Sequence, residues 1–198
     1  TATELVHLYT SVTNHQERVL VTLACNTALR ISDITKLRLC AIDNEGKLDP
    51  STPTIDLDNG WLHVKIHKTH KRDDLPITME LDEALREWLI HYADTLGRPL
   101  EPGMYLVPAK ENATWGRGPR AYNYQAFNQI TGPAPIYRRA VVAAGLPFTA
   151  GNGFHTLRRS FARIFYEELK RQGHPDPIRP VPAMLHHATP EMTSRYIG

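Results

Sequence analysis

The chain has 198 residues, of which 41% are hydrophobic and 22% charged, a length and balance that suit one well-filled globular core. No apolar run approaches the roughly 20 residues needed to cross a bilayer, and no signal-like N-terminus is present. A net charge of +2 does not by itself announce a nucleic-acid partner, so where the charges fall matters more than their sum. The two cysteines, Cys25 and Cys40, are read as core thiols of a reducing compartment in preference to a disulfide.

Taken in order, Thr1-Ala2-Thr3-Glu4 has the form of a capped helix start, and Asn14 to Glu17 a looser version of it. Val19, Leu20, Leu23, Ala24 and Thr27 repeat at helical spacing, so a buried helix is expected to about Ala28, with Arg30 at its end. Ser32 is expected to cap a second short helix through Leu39. Arg30 is then either held by packing between two helices or answers the dipole of the first. Residues 43–60 read as a loop. Trp61 to His67 alternates as a half-buried strand, Thr69–Asp74 turns, and Leu75–Met79 returns beside it. Lys68 falls in phase with Leu62, Val64 and Ile66, which ends the buried row in an ammonium at the hairpin tip. It reads either as a guard against edge pairing or as a functional donor. His63, His67 and His70 suggest a metal, but His70 lies beyond the strand and the reading is not favoured.

Asp82 is expected to cap the next helix, with Leu81, Leu85, Trp88 and Tyr92 as its core stripe. Gly97–Gly103 reads as a loop, Tyr105–Val107 as a short strand, and Pro108 to Gly132 as irregular, with Trp115–Arg120 a solvated insertion. Pro135–Ala144 reads as a helix closed by Gly145. The helix after it carries His155 and Arg158, three residues apart and therefore expected on one face. Such a pair offers a titratable nitrogen and a planar charged fork, a combination suited to phosphate. Leu157, Phe161, Ile164 and Phe165 are expected to pack its other side. The proline-rich run 173–182 is not expected to be helical. A helix near Ala183–His186 would deliver His187, and Thr189-Pro190-Glu191 would open a last helix bearing Tyr196. Lys65, Lys68, Lys71 and Arg72 form one basic group, and Arg158, Arg159, Arg163, Lys170 and Arg171 another. No internal repeat or low-complexity tract interrupts the chain.

Arg30, Lys68, His155, Arg158, His187 and Tyr196, in that order, resemble the catalytic domain of the tyrosine recombinase (phage integrase) family. The flanking residues match as well: Ala28 to Ile34 looks like the first arginine box, Phe154 to Phe161 like the second, and Leu185 to Tyr196 like the histidine-to-nucleophile segment. The resemblance runs from about Thr3 to Gly198. It implies an α+β fold, mainly α-helical, with a small antiparallel sheet or hairpin, in which residues 1–198 form a single catalytic domain. The chain opens on Thr1, and it is expected to be a piece of a longer protein that lacks the N-terminal DNA-clamping domain. His186 stands where the family commonly has glycine, Asp33 where glutamate is common, and the link at 173–182 is longer than usual.

The function implied is site-specific DNA recombination or integration, by cleaving and rejoining strands through a 3′-phosphotyrosine. Tyrosine ionises near ~10, so only about one in a thousand is charged at neutral pH and the nucleophile must be activated. The resemblance makes Tyr196 the nucleophile, Arg30 and Arg158 the donors to the non-bridging oxygens, and His187 a further phosphate donor. His155 would take or relay the tyrosine proton and Lys68 would protonate the leaving 5′ oxygen. No cofactor, metal or ATP is implied. Lys65, Lys71, Arg72 and Arg159 are further DNA-binding candidates. The partners implied are double-stranded recombination sites, with a homotetramer on DNA, a monomer when isolated, and no membrane. A cytoplasmic, nucleoid-associated location follows. A type IB topoisomerase-like or telomere-resolving enzyme is the alternative within the same chemistry, and a DNA-binding module without catalysis the alternative outside it.

Overall fold

The computed structural model describes residues 1–39, 52–66, 71–110, 124–186, 193 and 197. Helix α1 (Ala2–Thr10) begins as its sequence dictates, with the Thr1 hydroxyl accepting from the Glu4 amide and the Glu4 carboxylate answering it. Helix α2 (His15–Thr27) is capped by Asn14, whose side-chain oxygen accepts from the Glu17 amide at 3.0 Å. Its Val19, Leu20, Val21 and Leu23 have no exposed surface, so this helix is the centre of the core. It stops at Ala28, which adopts a left-handed φ of 53°. Arg30 then serves as N-cap residue of α3 (Ile31–Ile34) without any side-chain cap bond. The expectation of a Ser32-capped helix through Leu39 is therefore corrected. Ser32 lies inside a single turn, because the chain beyond it runs out to pair Arg38 with Thr54 and Tyr105.

Strands β1 (Thr54–Asp56), β2 (Trp61–Lys65) and β3 (Arg72–Pro76) form an antiparallel sheet in that order. β1 lies in a stretch expected to be loop. It is only three residues long and has no alternation to betray it. The alternation of β2 is as expected, with Leu62, Val64 and Ile66 buried. The return strand begins earlier than its apolar residues suggest. Val64 pairs with Asp73 and Lys65 with Arg72, so Arg72, Asp73 and Asp74 belong to the strand instead of the turn.

Helix α4 (Met79–Leu96) is capped by Thr78, which accepts from the Leu81 amide at 3.3 Å. Asp82, the expected cap, sits one turn in and pairs with Arg86 at 2.8 Å. Leu81, Leu85, Trp88 and Tyr92 are fully buried. Trp88 stacks on Tyr92 with centroids 4.9 Å apart, Tyr124 meets both rings edge-on, and the indole donates to the Leu106 carbonyl at 2.7 Å. A second antiparallel pair joins β4 (Pro108–Lys110) to β5 (Tyr124–Gln129), where the sequence reads as irregular. Of the strand expected at Tyr105–Val107, Tyr105 makes an isolated bridge to Arg38. Residues 115–120 lie outside the described ones.

Helix α5 (Ala134–Ala143) ends before Gly145, whose φ of 62° is the left-handed geometry expected there. Helices α6 (Phe154–Arg171) and α7 (Pro180–Met184) complete the described elements. α7 begins inside the proline-rich run, where no helix was expected. Its prolines occupy the first turn, where amides have no intrahelical acceptor to lose. Cys25 is a buried free thiol, pushed up to about 12 by burial; Cys40 lies outside the described residues. Among the described residues no helix is long and apolar enough to cross a membrane.

The main core is accompanied by a smaller cluster of Ala28, Ala162, Val181 and Leu185. Phe161, Phe165, Tyr166 and Ile197 pack against it. This cluster gathers the end of α2, the middle of α6, α7 and the C-terminal segment at one place.

Candidate active site

Arg158 lies at the heart of that meeting point with 1% of its surface exposed. One terminal nitrogen, Nη1, donates to the Ala28 carbonyl and the other, Nη2, to the Leu185 carbonyl. These acceptors are 130 and 27 residues away in sequence. The left-handed turn at Ala28 exposes its carbonyl to the guanidinium, and α7 ends so that Leu185 presents its own. A guanidinium has five N–H donors in a rigid fork, so the two bonds fix its plane without exhausting it. Arg158 therefore joins the first arginine box, the second and the histidine segment, a role that the spacing of His155 and Arg158 does not reveal.

Arg30 emerges two residues after Ala28, at the α2–α3 break. It is half-buried, and its Nη1 is shielded from solvent without a hydrogen-bond partner. A buried guanidinium nitrogen with no acceptor is a costly arrangement in an isolated protein and a ready donor for an anion. Asp33, one turn on, is 2% exposed. Its negative charge lies close enough to act on the neighbouring His186.

His155 and Arg158 do not share one environment, although they are three residues apart. His155 stands on the exposed rim of α6 while Arg158 is sealed beneath it. Partial burial holds the His155 imidazole below its ordinary value, and the charges of Arg158, Arg159 and Arg30 push it further down. The same cations attract a phosphate, whose negative charge would offset their effect on the ring. Of the side chains expected behind this face, Leu157 is in the main core, while Phe161 and Phe165 serve the smaller cluster.

His186 is the residue whose importance the sequence reading missed. It adopts a left-handed φ of 49°, which explains why a glycine suits this position. Its side chain is 9% exposed, with Nδ1 3.6 Å from the Asp73 carboxylate on β3. Burial holds its pKa below the ordinary value; the Asp73 and Asp33 charges oppose that, and the Arg158 and Arg30 charges reinforce it. The signal available in sequence was the substitution of histidine for glycine.

Three expected site residues, Lys68, His187 and Tyr196, lie outside the described residues. Their nearest described neighbours are Ile66, which is buried and donates its amide to the Lys71 carbonyl at 2.9 Å, Leu185–His186, and Ile197. Lys65 and Arg72 are cross-strand partners at the same end of the hairpin, and Lys71 and Arg72 are exposed. Arg159 is exposed on α6 beside Arg158. His63 is held by carboxylates: its Nδ1 is 2.7 Å from Asp74 and its Nε2 3.8 Å from Asp56. His67 and His70 lie outside the described residues, and no group of three metal-ligating side chains occurs among the described ones.

The fold is that of the tyrosine recombinase catalytic domain. XerA recombinase superposes over 100% of this chain and 57% of its own, with a TM-score of 0.63 and 15% identity. A lambda integrase dimer bound to a COC′ core site superposes over 100% of this chain and 47% of its own, with a TM-score of 0.57 and 19% identity. The model of the phage integrase family matches residues 1–198, and the chain belongs to that family. The probable integrase/recombinase YoeC of Bacillus subtilis (strain 168) is 28% identical over 185 residues, which are 93% of this chain and 78% of that protein. The chain spans about half the length of the solved structures it matches. These relatives are named as integrases and recombinases.

Proposed function

We propose that residues 1–198 act as one catalytic domain of a site-specific DNA recombinase that cleaves and rejoins strands through a 3′-phosphotyrosine. The observation that carries this reading is the placement of Arg158, which bonds both to the carbonyl two residues before Arg30 and to the carbonyl two residues before His187. In the proposed step the Tyr196 hydroxyl attacks the phosphorus and gives its proton to His155. The bond to the 5′ oxygen breaks, and that oxygen leaves as a hydroxyl with a proton from Lys68. Arg30 and Arg158 donate to the non-bridging oxygens, and His187 adds a third donor. Each preorganised donor of this kind contributes on the order of 10²–10³ in rate. The phosphotyrosine keeps the energy of the broken linkage, so a 5′ hydroxyl from another strand reverses the step without ATP. Guanidinium groups supply the charge stabilisation that a divalent ion gives elsewhere.

Double-stranded recombination sites are the proposed partner, with Lys65, Lys71, Arg72 and Arg159 contacting backbone phosphates. A homotetramer on paired sites is proposed from the fold, since a lambda integrase tetramer bound to a Holliday junction shares it with a TM-score of 0.55; the isolated chain is proposed to be monomeric. A cytoplasmic location on the nucleoid follows from the substrate. A nicked suicide substrate, whose short 5′ fragment diffuses away after cleavage, tests the reading. Accumulation of protein joined to the 3′ phosphate supports it, and binding without any covalent product contradicts it.

A further inference from the structure

The backbone at His186 is in a conformation that disfavours every side chain but glycine's, typically by about 1–3 kcal/mol, and histidine is among the residues that tolerate it. The imidazole of His186 is nine-tenths buried, and its Nε2 is sealed without a hydrogen-bond partner. Its Nδ1 lies 3.6 Å from the Asp73 carboxylate. At that separation the contact is electrostatic and steric, longer than a hydrogen bond. Asp73 is on β3 opposite Val64 of β2, and its other carboxylate oxygen accepts from the Asp74 amide at 3.0 Å, which fixes the carboxylate's direction. The residue before His186 is Leu185, whose carbonyl is held by Arg158. One short path therefore runs from the arginine site through Leu185 and His186 to the hairpin. The groups acting on the ring come from every side of this path: Asp73 from β3, Arg158 from α6, Arg30 from the α2–α3 break and Asp33 from α3. The inner face of the sheet is held by Ile55, Leu62, Val64 and Ile66 in the main core, and the His186–Asp73 contact lies on β3, the strand at the sheet's edge.

We propose that His186 is a positioning residue, whose contact with Asp73 docks the β2–β3 hairpin onto the arginine site and so sets where the hairpin tip stands. The proposal rests on the recombinase reading for its catalytic consequence, because Lys68 lies in the sequence between Ile66 at the end of β2 and Lys71 before β3. It does not rest on that reading for its structural consequence, which is the docking itself. His186→Gly removes the ring and suits the left-handed backbone, so that variant keeps its local chain path. Asp73→Asn is the complementary change. It retains an oxygen for the Asp74 amide and removes the charge facing the ring.

Two measurements on the 198-residue protein test the proposal. The first is hydrogen exchange of the hairpin amides, Ile66 above all, at neutral pH without DNA. Either variant is expected to raise their exchange by about tenfold or more, as for a local opening made easier, with α4 unchanged. Unchanged hairpin exchange would overturn the docking. The second is single-turnover cleavage of an ordinary strand and of one with sulfur at the bridging 5′ position, whose thiolate leaves without a proton. A misplaced acid costs on the order of 10- to 100-fold, so both variants should be slow on ordinary DNA and near normal on the sulfur substrate. The double variant should be no slower than either single one. An equal loss on both substrates would overturn the positioning role and assign His186 to the phosphate instead. Failure of the unmutated protein to cleave either substrate would remove the recombinase reading, while the exchange result would still decide whether His186 docks the hairpin.

Discussion

Replacing Arg158 by alanine should damage both stability and cleavage, whereas replacing Arg30 should damage cleavage alone. Arg158 is 1% exposed and donates to the carbonyls of Ala28 and Leu185, residues that are themselves fully buried. Its loss strands two buried acceptors at about 1–3 kcal/mol each, for a total on the order of 4 kcal/mol. In a chain of this size each kcal/mol moves the melting temperature by about 2–4 °C, so a fall of about 8–16 °C is expected. Arg158→Lys should recover part of it, since an ammonium reaches one carbonyl but lacks the planar fork. Arg30 is half-buried, with an Nη1 that has no partner to lose. Arg30→Ala should therefore melt within about 2 °C of the unmutated protein, because no acceptor is stranded, while cleavage falls by about 10²–10³ or more. Thermal unfolding followed by circular dichroism, with single-turnover cleavage on the same samples, separates the two. An Arg158→Ala variant that melts like the unmutated protein, or an Arg30→Ala variant that loses as much stability as Arg158→Ala, would refute this division of roles.

Burial and nearby arginines lower the pKa of both His155 and His186 from the ordinary 6.5. Below about that value the unfolded chain therefore takes up protons that the native chain resists, and stability falls with acid. Urea midpoints at pH 7.5 and pH 5.5 should show this fall, and His155→Gln should shrink it; an unaltered fall would remove His155 as a contributor. Cleavage should continue in excess EDTA, because the proposed stabilisation of charge comes from guanidinium groups. Activity lost to chelator and restored by Mg²⁺ would contradict that. Thr78→Ala should destabilise α4 by about 1 kcal/mol through loss of its cap, and Asp82→Ala should cost distinctly less because its partner Arg86 is exposed; the reverse order in denaturant midpoints would restore Asp82 as the cap.

What was legible in the sequence is what local pattern encodes. Thr1 with Glu4, and Asn14 with Glu17, satisfy amides three residues away. The buried rows of β2 and α4 follow periods of two and of 3.6. Cap assignment already tests the limit of such reasoning: Thr78 and Asp82 are both good caps, and Thr78 prevails because Leu81 must be inside the first turn to reach the core. β1 is too short to alternate, and in β5 the exposed Phe127 masks the alternating burial of Tyr124 and Ala126. The first turn of α7 is hidden because Pro180 and Pro182, which break a helix in its interior, stand here where a helix starts. At the site, the order of Arg30, His155 and Arg158 was legible through the family resemblance, and the structure brings these three together. The two carbonyl bonds of Arg158 were not, since no local pattern names an acceptor 130 residues away. The contact of His186 with Asp73 was hidden for the same reason, although its left-handed backbone was foreshadowed by the glycine it replaces.

The central claim is that Tyr196 carries the covalent link to DNA. Incubation with the nicked suicide substrate, followed by denaturing electrophoresis in SDS, measures that directly when Tyr196→Phe is compared with the unmutated protein. The unmutated chain should give an SDS-resistant adduct and Tyr196→Phe none, with nearly equal DNA binding by the two. An adduct that persists in Tyr196→Phe would place the nucleophile elsewhere and contradict the account.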